Sequence, residues 1–293
     1  MEITYTIEEN NKTIKQILKE RLFISDRLLT FLKKNSLILY NNDKITNLNI
    51  LARLNSTVTV DLNFEEDNNN IVPIKMDLKI IYEDEALLII DKPAGIPVHP
   101  SILHYTNSLS NGVKYYFDSI NLKKKIRPVN RLDRNTSGIV IFAKNQYIQE
   151  CLIHQMQTKE FKKTYLAVVE GHLKKLNGTI DAPITRKENS IIERCVAENG
   201  EKSITHYKVL KQNFEKNYDI VECLLETGRT HQIRVHLSYI GHPLIGDTLY
   251  GNNYKYISRQ ALHAYKVEFI HPITNKLTQF TSDLPKDFVS FII

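Results

Sequence analysis

The segment RLDRNTSG, residues 131–138, leads directly into the apolar run IVIFA at residues 139–143. A short apolar run rich in β-branched and aromatic residues that follows a small-residue turn predicts a buried strand. Asp133 lies between Arg131 and Arg134, and nearby positive charge favours the ionised form of a carboxyl group. We therefore interpret Asp133 as a nucleophile or an electrostatic stabiliser. A structural ion pair at the mouth of the strand is the alternative that this segment leaves open.

The composition predicts one large and one small unit with a substantial core, because the chain has 293 residues of which 42% are hydrophobic. The sequence contains no run of about 18 apolar residues, and its first residues lack the charged-then-apolar layout of an export signal. The three cysteines, Cys151, Cys195 and Cys223, are widely spaced. This spacing indicates neither a disulfide framework nor a zinc site, so we expect a protein of the reducing cytoplasm.

The positive charge is unevenly distributed along the chain, which has a formal net charge of +6. Lys123, Lys124 and Lys125 are followed by Arg127, shortly before the segment that contains Asp133. Such a cluster suits a polyanionic substrate, because neutralising phosphates releases counterions. We assign the three lysines to substrate binding beside the site, with an ordinary solvated surface as the alternative.

The polar run EEDNNN at residues 65–70 divides the chain, because it has no apolar periodicity and is typical of a linker or exposed loop. We expect a small unit over residues 1–65, a linker over residues 66–75 and a large unit over residues 76–293. In the small unit, apolar residues at helical spacing predict a helix at residues 14–22, and Ser25 can cap a second helix. Val58 and Val60 alternate with polar residues, as in a short strand.

The large unit combines strands and helices without strict alternation. Strands are expected at residues 78–82, 86–90, 139–143, 164–169 and 219–226, the first two forming a hairpin. One helix is expected over residues 145–158, and another is capped by Thr230 and ended by Gly241. This order of elements predicts an α+β fold with a largely antiparallel sheet.

Two further segments bear on chemistry. GRTHQIR at residues 228–234 places Arg234 in the first turn of the predicted helix and off its apolar stripe, where it can reach a carboxylate across a cleft. A surface arginine is the alternative. KTY at residues 163–165 places Tyr165 on a predicted strand just after the basic Lys163, an arrangement that can stack a base, although a strand tyrosine is usually part of the core. Metal, nucleotide triphosphate and dinucleotide chemistry are disfavoured, because their sequence patterns do not occur in a suitable place.

In order and spacing, these segments closely resemble the motifs of the RluA-type pseudouridine synthases over residues 75–290. The motifs are YED (82–84), DKPAG (91–95), VHP (98–100), RLDRNTSG (131–138), KTY (163–165), GRTHQIR (228–234), GD (246–247), YG (250–251), LHA (262–264) and HP (271–272). Residues 1–65 more loosely resemble the alpha-L RNA-binding module, with Ser25-Asp26-Arg27 where that module has more basic residues. The resemblance implies a pseudouridine synthase fold that carries a degenerate module of this kind.

The resemblance also implies a function, the isomerisation of uridines in ribosomal or transfer RNA without a metal, redox cofactor or energy source. By motif, Asp133 is the nucleophile, Arg234 pairs with it, and Tyr165 stacks on the extruded base. Arg131 lies near the space that the base vacates, and Asn130 stands where the family commonly has His. The other motif residues assigned to the substrate are Arg134, Thr136, Lys163 and His231.

Two alternatives remain at this point. One is a nucleoside or glycoside hydrolase, but retaining glycosidases usually need two carboxylates about 5 to 5.5 Å apart, and no second acidic residue accompanies Asp133 in its segment. The other alternative is an RNA-binding assembly factor that has kept the fold and lost catalysis, against which the intact Asp133, Tyr165 and Arg234 argue. A monomer is the default expectation for the oligomeric state.

Overall fold

The computed structural model describes residues 1–252 and 255–291. Residues 253–254 and 292–293, which fall in the range expected for the large unit, lie outside the described residues. The helices are α1 (Ile14–Glu20), α2 (Asp26–Lys34), α3 (Leu109–Ser119), α4 (Gln146–Gln157), α5 (Gln232–Tyr239) and α6 (Lys286–Val289). The strands are β1 (Glu2–Thr6), β2 (Ile38–Tyr40), β3 (Asp43–Lys44), β4 (Thr57–Asp61), β5 (Ile80–Glu83), β6 (Leu87–Lys92), β7 (Arg127–Pro128), β8 (Ser137–Ala143), β9 (Lys162–Glu170), β10 (Asn177–Asp181), β11 (Ile184–Arg186), β12 (Arg194–Val196), β13 (Ile204–Asn213), β14 (Tyr218–Leu225), β15 (Leu262–Ile270) and β16 (Leu277–Thr281). In this described part, no helix is long and apolar enough to cross a membrane.

The N-terminal unit consists of helices α1 and α2 and the sheet β1-β4-β2-β3, as the sequence predicts. Ser25 caps α2, because its hydroxyl accepts a hydrogen bond from the Leu28 backbone N–H at 3.2 Å. Val58 and Val60 are buried on β4. Both helices therefore place their apolar residues on this small sheet.

The large unit is built on a mixed sheet whose main path is β10-β13-β14-β9-β15-β8-β6-β5, with β16 paired to β15 and β7 paired to β8. Within the described residues its pairings are antiparallel except between β8 and β15. The predicted hairpin is present as β5 and β6. The α+β class with a largely antiparallel sheet is thus confirmed.

Strands β6 and β8 are apolar at nearly every position because both faces of the sheet are covered. Leu87 and Ile89 pack in one hydrophobic cluster, together with the N-terminal unit and α4. Leu88 and Ile90 pack in another, together with α3 and α5. A strand buried on both faces loses the alternation of apolar and polar residues. The continuous apolar run at residues 139–143 is therefore explained by the position of β8 inside the sheet.

The N-terminal unit shares its core with the large unit and is also held to it by polar contacts. The Ser25 hydroxyl donates to a Glu150 carboxylate oxygen on α4 at 2.6 Å. The interpretation of residues 65–70 as an exposed loop is only partly correct. Glu66 forms an ion pair with Arg127 in which both side chains are 10% exposed, and Asn68 is buried. These residues form a loop that is packed against the large unit.

Gly138 sits where the segment around Asp133 enters β8. Its φ of +109° lies in the left-handed region, and an added Cβ would lie 2.3 Å from the backbone oxygen of Ala264 on β15. Gly138→Ala is therefore expected to lower the free energy of unfolding by more than about 2 kcal/mol, since strain and overlap act together. Urea unfolding of the variant measures this loss.

Gly241→Ala is the matched control for that measurement. Gly241 also has a positive φ, +87°, but an added Cβ there meets nothing within 4 Å. Gly241→Ala should lower the free energy of unfolding by only about 1 kcal/mol, from conformational strain alone. Equal losses in the two variants would show that close approach to β15 is not what requires glycine at position 138.

Candidate active site

An ion-pair chain of three side chains forms the centre of the site. Arg234, the third residue of α5, donates from Nη1 to Oδ2 of Asp133 at 3.0 Å. Its Nε and Nη2 donate to both carboxylate oxygens of Asp247, at 2.7 and 2.8 Å. Arg234 and Asp247 are buried, whereas the Asp133 side chain is 25% exposed. The expected pair of Asp133 and Arg234 is therefore present, and the carboxylate remains accessible.

The two arginines that flank Asp133 in the chain do not pair with it. Arg131 and Arg134, its neighbours in the chain, are exposed, and within the described residues neither forms an ion pair with it. The Arg131 guanidinium instead donates to the Thr230 hydroxyl at 3.4 Å. The expectation that Asp133 is held between its two flanking arginines is therefore wrong, and Arg234 supplies the paired charge from 101 residues along the chain.

The loop after Asp133 is held by buried donors. Lys92 is fully buried, and its Nζ donates to the backbone oxygens of Pro93, Ile96 and Arg134 at 2.8, 2.9 and 3.1 Å. Arg259 donates to the Asn135 backbone oxygen at 3.1 Å. Buried backbone carbonyls need such partners, so these side chains fix the path of the loop that carries Asp133.

Burial lowers the pKa of Lys92 to about 7, an effect that the nearby Arg259 cation reinforces. In the unfolded chain the lysine keeps its ordinary pKa near 10.5, so between pH 7 and 10.5 the unfolded state binds more protons than the folded one. Stability from this group therefore rises with pH across that window. Between pH 7 and 9, the wild-type protein should gain roughly 2 kcal/mol relative to Lys92→Met.

Urea unfolding of both proteins at the two pH values checks this prediction, and parallel curves would contradict it. The same variant should also lose activity, because the Arg134 backbone oxygen loses its donor and the Asp133 loop loosens.

His231 contacts the same centre through a hydrogen-bond chain. The Tyr250 hydroxyl accepts from the Arg194 backbone N–H at 2.8 Å and lies 2.9 Å from Nδ1 of His231. Burial raises the pKa of Tyr250 to about 12, so the hydroxyl keeps its proton and donates it to Nδ1. We assign the imidazole proton to Nε2, which lies 3.8 Å from Oδ2 of Asp133. Burial also lowers the pKa of His231, which favours this neutral form.

The start of α5 differs from the prediction. Its N-cap is His231, with a φ of +59°, and not Thr230. This left-handed residue turns the chain sharply before the helix and directs the His231 side chain toward Asp133. The Thr230 hydroxyl is used instead as the acceptor for Arg131.

A cleft of about 1040 Å³ opens in front of Asp133. Tyr165 on β9 lines it and also lines the smaller space around Asp133 and Arg234. Lys163, two residues earlier, faces the cleft, and burial lowers its pKa. Arg131 and His99 are further lining residues. The volume is at the upper end of what small-molecule sites usually have, so the cleft can hold a large substrate.

Two residues expected at the substrate are engaged in the protein itself. Asn130 lines the cleft, but its amide bonds to the backbone of Ile139 and Ile141 on β8, both at 2.9 Å. Thr136 is buried, and its hydroxyl accepts from Gln260 at 3.2 Å. Both side chains position the loop that carries Asp133. Arg134 is exposed, and its side chain does not line the cleft.

The three lysines before the site lie elsewhere than expected. Lys124 donates to the backbone oxygens of Leu62 and Phe64, both at 2.6 Å, and Lys123 pairs with Glu65. Neither these two nor Lys125 lines the cleft. The expectation that this run lies beside the pocket is corrected, because Lys123 and Lys124 contact a carboxylate and two backbone carbonyls at the end of the N-terminal unit. Its contact with RNA stays a prediction.

Sequence reasoning assigned no role to Asp247 or Lys92, although both lie in quoted motifs. Asp247 is fully buried and also accepts from the backbone N–H groups of Leu249 and Tyr250 at 3.0 and 3.2 Å. A lone acidic residue after a glycine carries no signal of burial. Among the described residues, no group of three or more His, Cys, Asp or Glu side chains is placed to hold a metal ion.

The chain is similar to RNA pseudouridine synthases in sequence and in structure. Residues 86–239 match the family model described as RNA pseudouridylate synthase. The chain is 38% identical to the uncharacterized RNA pseudouridine synthase YhcT of Bacillus subtilis, over 98% of this chain and 94% of that protein. It is 37% identical to ribosomal large subunit pseudouridine synthase D of Zymomonas mobilis, over 78% of this chain and 76% of that protein. Human RNA pseudouridylate synthase domain containing 1 is similar in structure, with a TM-score of 0.58 and 26% identity over 71% of this chain and 84% of that one.

Proposed function

Because the chain belongs to the RluA-type RNA pseudouridine synthases, which are isomerases, we propose that Asp133 is its catalytic nucleophile and that its substrate is a uridine of large-subunit ribosomal RNA. The observation that carries the role of Asp133 is its geometry. One oxygen, Oδ2, is held by Arg234 at 3.0 Å, and within the described residues the other accepts no hydrogen bond. A carboxylate that is held at one oxygen by an arginine and open to a cleft has the geometry that nucleophilic catalysis requires.

The reaction conserves the composition of the nucleotide. A bond forms between a carboxylate oxygen of Asp133 and C1′ of ribose as the bond between C1′ and N1 of uracil breaks. The base rotates, C5 bonds to C1′, and the bond between Asp133 and C1′ breaks, which returns the free carboxylate. The hydrogen on C5 leaves to water as a proton and N1 gains a proton from water. Arg234 keeps the carboxylate oriented between the steps.

The walls of the cleft suit an extruded nucleotide. Taking a base out of a folded RNA costs a few kcal/mol, and stacking on an aromatic ring returns about 1 to 3 kcal/mol. Tyr165, which lines both the cleft and the space at Asp133, is the proposed stacking residue. Lys163 and Arg131 line the same cleft and are proposed to contact the nucleotide and its phosphate.

The structure also bears on the hydrolase alternative. A second carboxylate, Asp247, does belong to the site, but Arg234 and two backbone N–H groups occupy its oxygens. It is fully buried and therefore cannot activate water at the substrate. This arrangement favours isomerisation, in which one nucleophilic carboxylate is sufficient.

The choice of RNA rests on the relatives. Several that are 35–39% identical are named ribosomal large subunit pseudouridine synthase D. We therefore propose large-subunit ribosomal RNA as the substrate, with transfer RNA as the competing outcome of the test.

The test uses purified protein with in vitro transcripts of both RNAs that carry tritium on C5 of uridine. Isomerisation releases the tritium to water, and mapping of pseudouridine locates the site. Release from the ribosomal transcript is expected, whereas release from transfer RNA alone would overturn the assigned substrate. Binding without release from either RNA would favour the inactive assembly factor.

A further inference from the structure

The hairpin β11–β12 places two positive charges side by side. Its strands form a two-stranded sheet in which Arg186 lies directly opposite Arg194. Like charges in this register destabilise a strand pair. The next pair of residues behaves differently, because Lys187 forms an ion pair with Glu193 at 2.8 Å. The arginine pair therefore lacks the opposite charge that the neighbouring pair has, and its repulsion destabilises the hairpin. A pair that is unfavourable for folding indicates a role in binding.

The two arginines line a pocket together with two more from the catalytic loops. The pocket has a volume of about 410 Å³, and its charged lining residues are Arg131, Arg186, Arg194, Arg229 and Glu201. Glu201 pairs with Arg229 at 2.5 Å. Among the described residues, Arg131, Arg186 and Arg194 form no ion pair with a carboxylate. The pocket thus holds a surplus of guanidinium groups whose charge the protein itself does not neutralise.

The pocket is continuous with the cleft in front of Asp133. Arg131, Gly228, Arg229 and Thr230 line both spaces. The hairpin is also tied to the catalytic centre, since the Arg194 backbone N–H bonds to the Tyr250 hydroxyl that contacts His231. If one monomer of a linear polyanion lies at Asp133, a neighbouring monomer of the same strand would lie at this pocket.

We propose that this pocket binds a phosphodiester group of the RNA strand next to the isomerised uridine, with Arg186 and Arg194 as its clamp. The inference rests on the proposed function, because RNA must enter the cleft. Guanidinium groups match phosphate oxygens with paired hydrogen bonds. Bound phosphate also removes the repulsion between the two arginines. Contacts to phosphate set the register of the strand without reading its sequence.

The experiment measures binding of a large-subunit ribosomal RNA transcript to the wild type and to Arg186→Gln, Arg194→Gln and the double variant over a series of salt concentrations. Each lost contact should reduce the slope of log K against log salt by about 0.7 to 0.9. The control is Lys175→Gln/Lys216→Gln, which removes two exposed charges away from the cleft and should keep the wild-type slope. The Tm of the double variant without RNA should not fall below that of the wild type, because removing either arginine relieves repulsion.

The outcomes separate this inference from the proposed function. Wild-type protein that forms pseudouridine, together with a double variant whose salt slope equals that of the wild type, would overturn the phosphate clamp and leave the function intact. Wild-type protein that forms no pseudouridine would overturn the function itself. Polyglutamate serves as a non-nucleic polyanion. If the double variant loses affinity for polyglutamate by the same factor as for RNA, the pocket is a general anion-binding patch and the proposal is wrong.

Discussion

Asp133→Asn is expected to lower the rate of pseudouridine formation to less than about a thousandth of the wild-type rate, since removal of a nucleophile can cost up to about a million-fold. The amide is nearly isosteric with the carboxylate but far less nucleophilic. Its oxygen can still accept the hydrogen bond that Arg234 donates to Asp133 at 3.0 Å. Folding and RNA affinity should therefore stay close to those of the wild type. Tritium release in single-turnover reactions measures the rate.

Asp43→Asn is the control for this variant, because Asp43 is an exposed carboxylate on β3. It should keep full activity. Turnover by Asp133→Asn above a thousandth of the wild-type rate would show that Asp133 is not the nucleophile. Loss of RNA affinity in the same variant would instead point to a role for Asp133 in binding.

Arg234→Ala is expected to reduce activity at least a hundred-fold, on the order of 3 kcal/mol in the activation barrier. The carboxylate of Asp133 then loses its hydrogen-bond donor and its positive neighbour. Tritium release in single-turnover reactions measures the loss. Near-normal activity would show that the action of Asp133 does not depend on its ion pair with Arg234.

Arg234→Ala is also expected to lower the stability of the fold, and this effect must be distinguished from the loss of activity. It leaves Asp247, which is fully buried, without the two hydrogen bonds that Arg234 donates. Breaking a buried pair in this way costs about 3 to 5 kcal/mol of stability. The double variant Arg234→Ala/Asp247→Asn removes the stranded charge and keeps an oxygen that can accept from the Leu249 and Tyr250 backbone N–H groups, so it should recover much of the stability. Because Asp133 still lacks its partner there, activity should stay low.

Several parts of the fold could be read from local sequence. The Ser25 cap, the alternation of Val58 and Val60, and the β5–β6 hairpin are confirmed because each depends on residues close together in the chain. The cap of α5 was predicted wrongly at Thr230. There a left-handed His231 starts the helix, a conformation that histidine adopts only where the surrounding structure holds it.

The sequence by itself determined the class of fold and the family, because these are carried by contiguous residues and by the order of short segments. Only the tertiary structure decided that the two flanking arginines take no part in the ion pair that the motifs predict between Asp133 and Arg234. Within the described residues Arg131 and Arg134 form no ion pair with Asp133, whereas Arg234 does and is itself held by Asp247. In the same way, Lys123 and Lys124 contact the end of the N-terminal unit, at Glu65 and Leu62. Charge interactions depend on distance in space and on burial, and neither can be read from spacing along the chain.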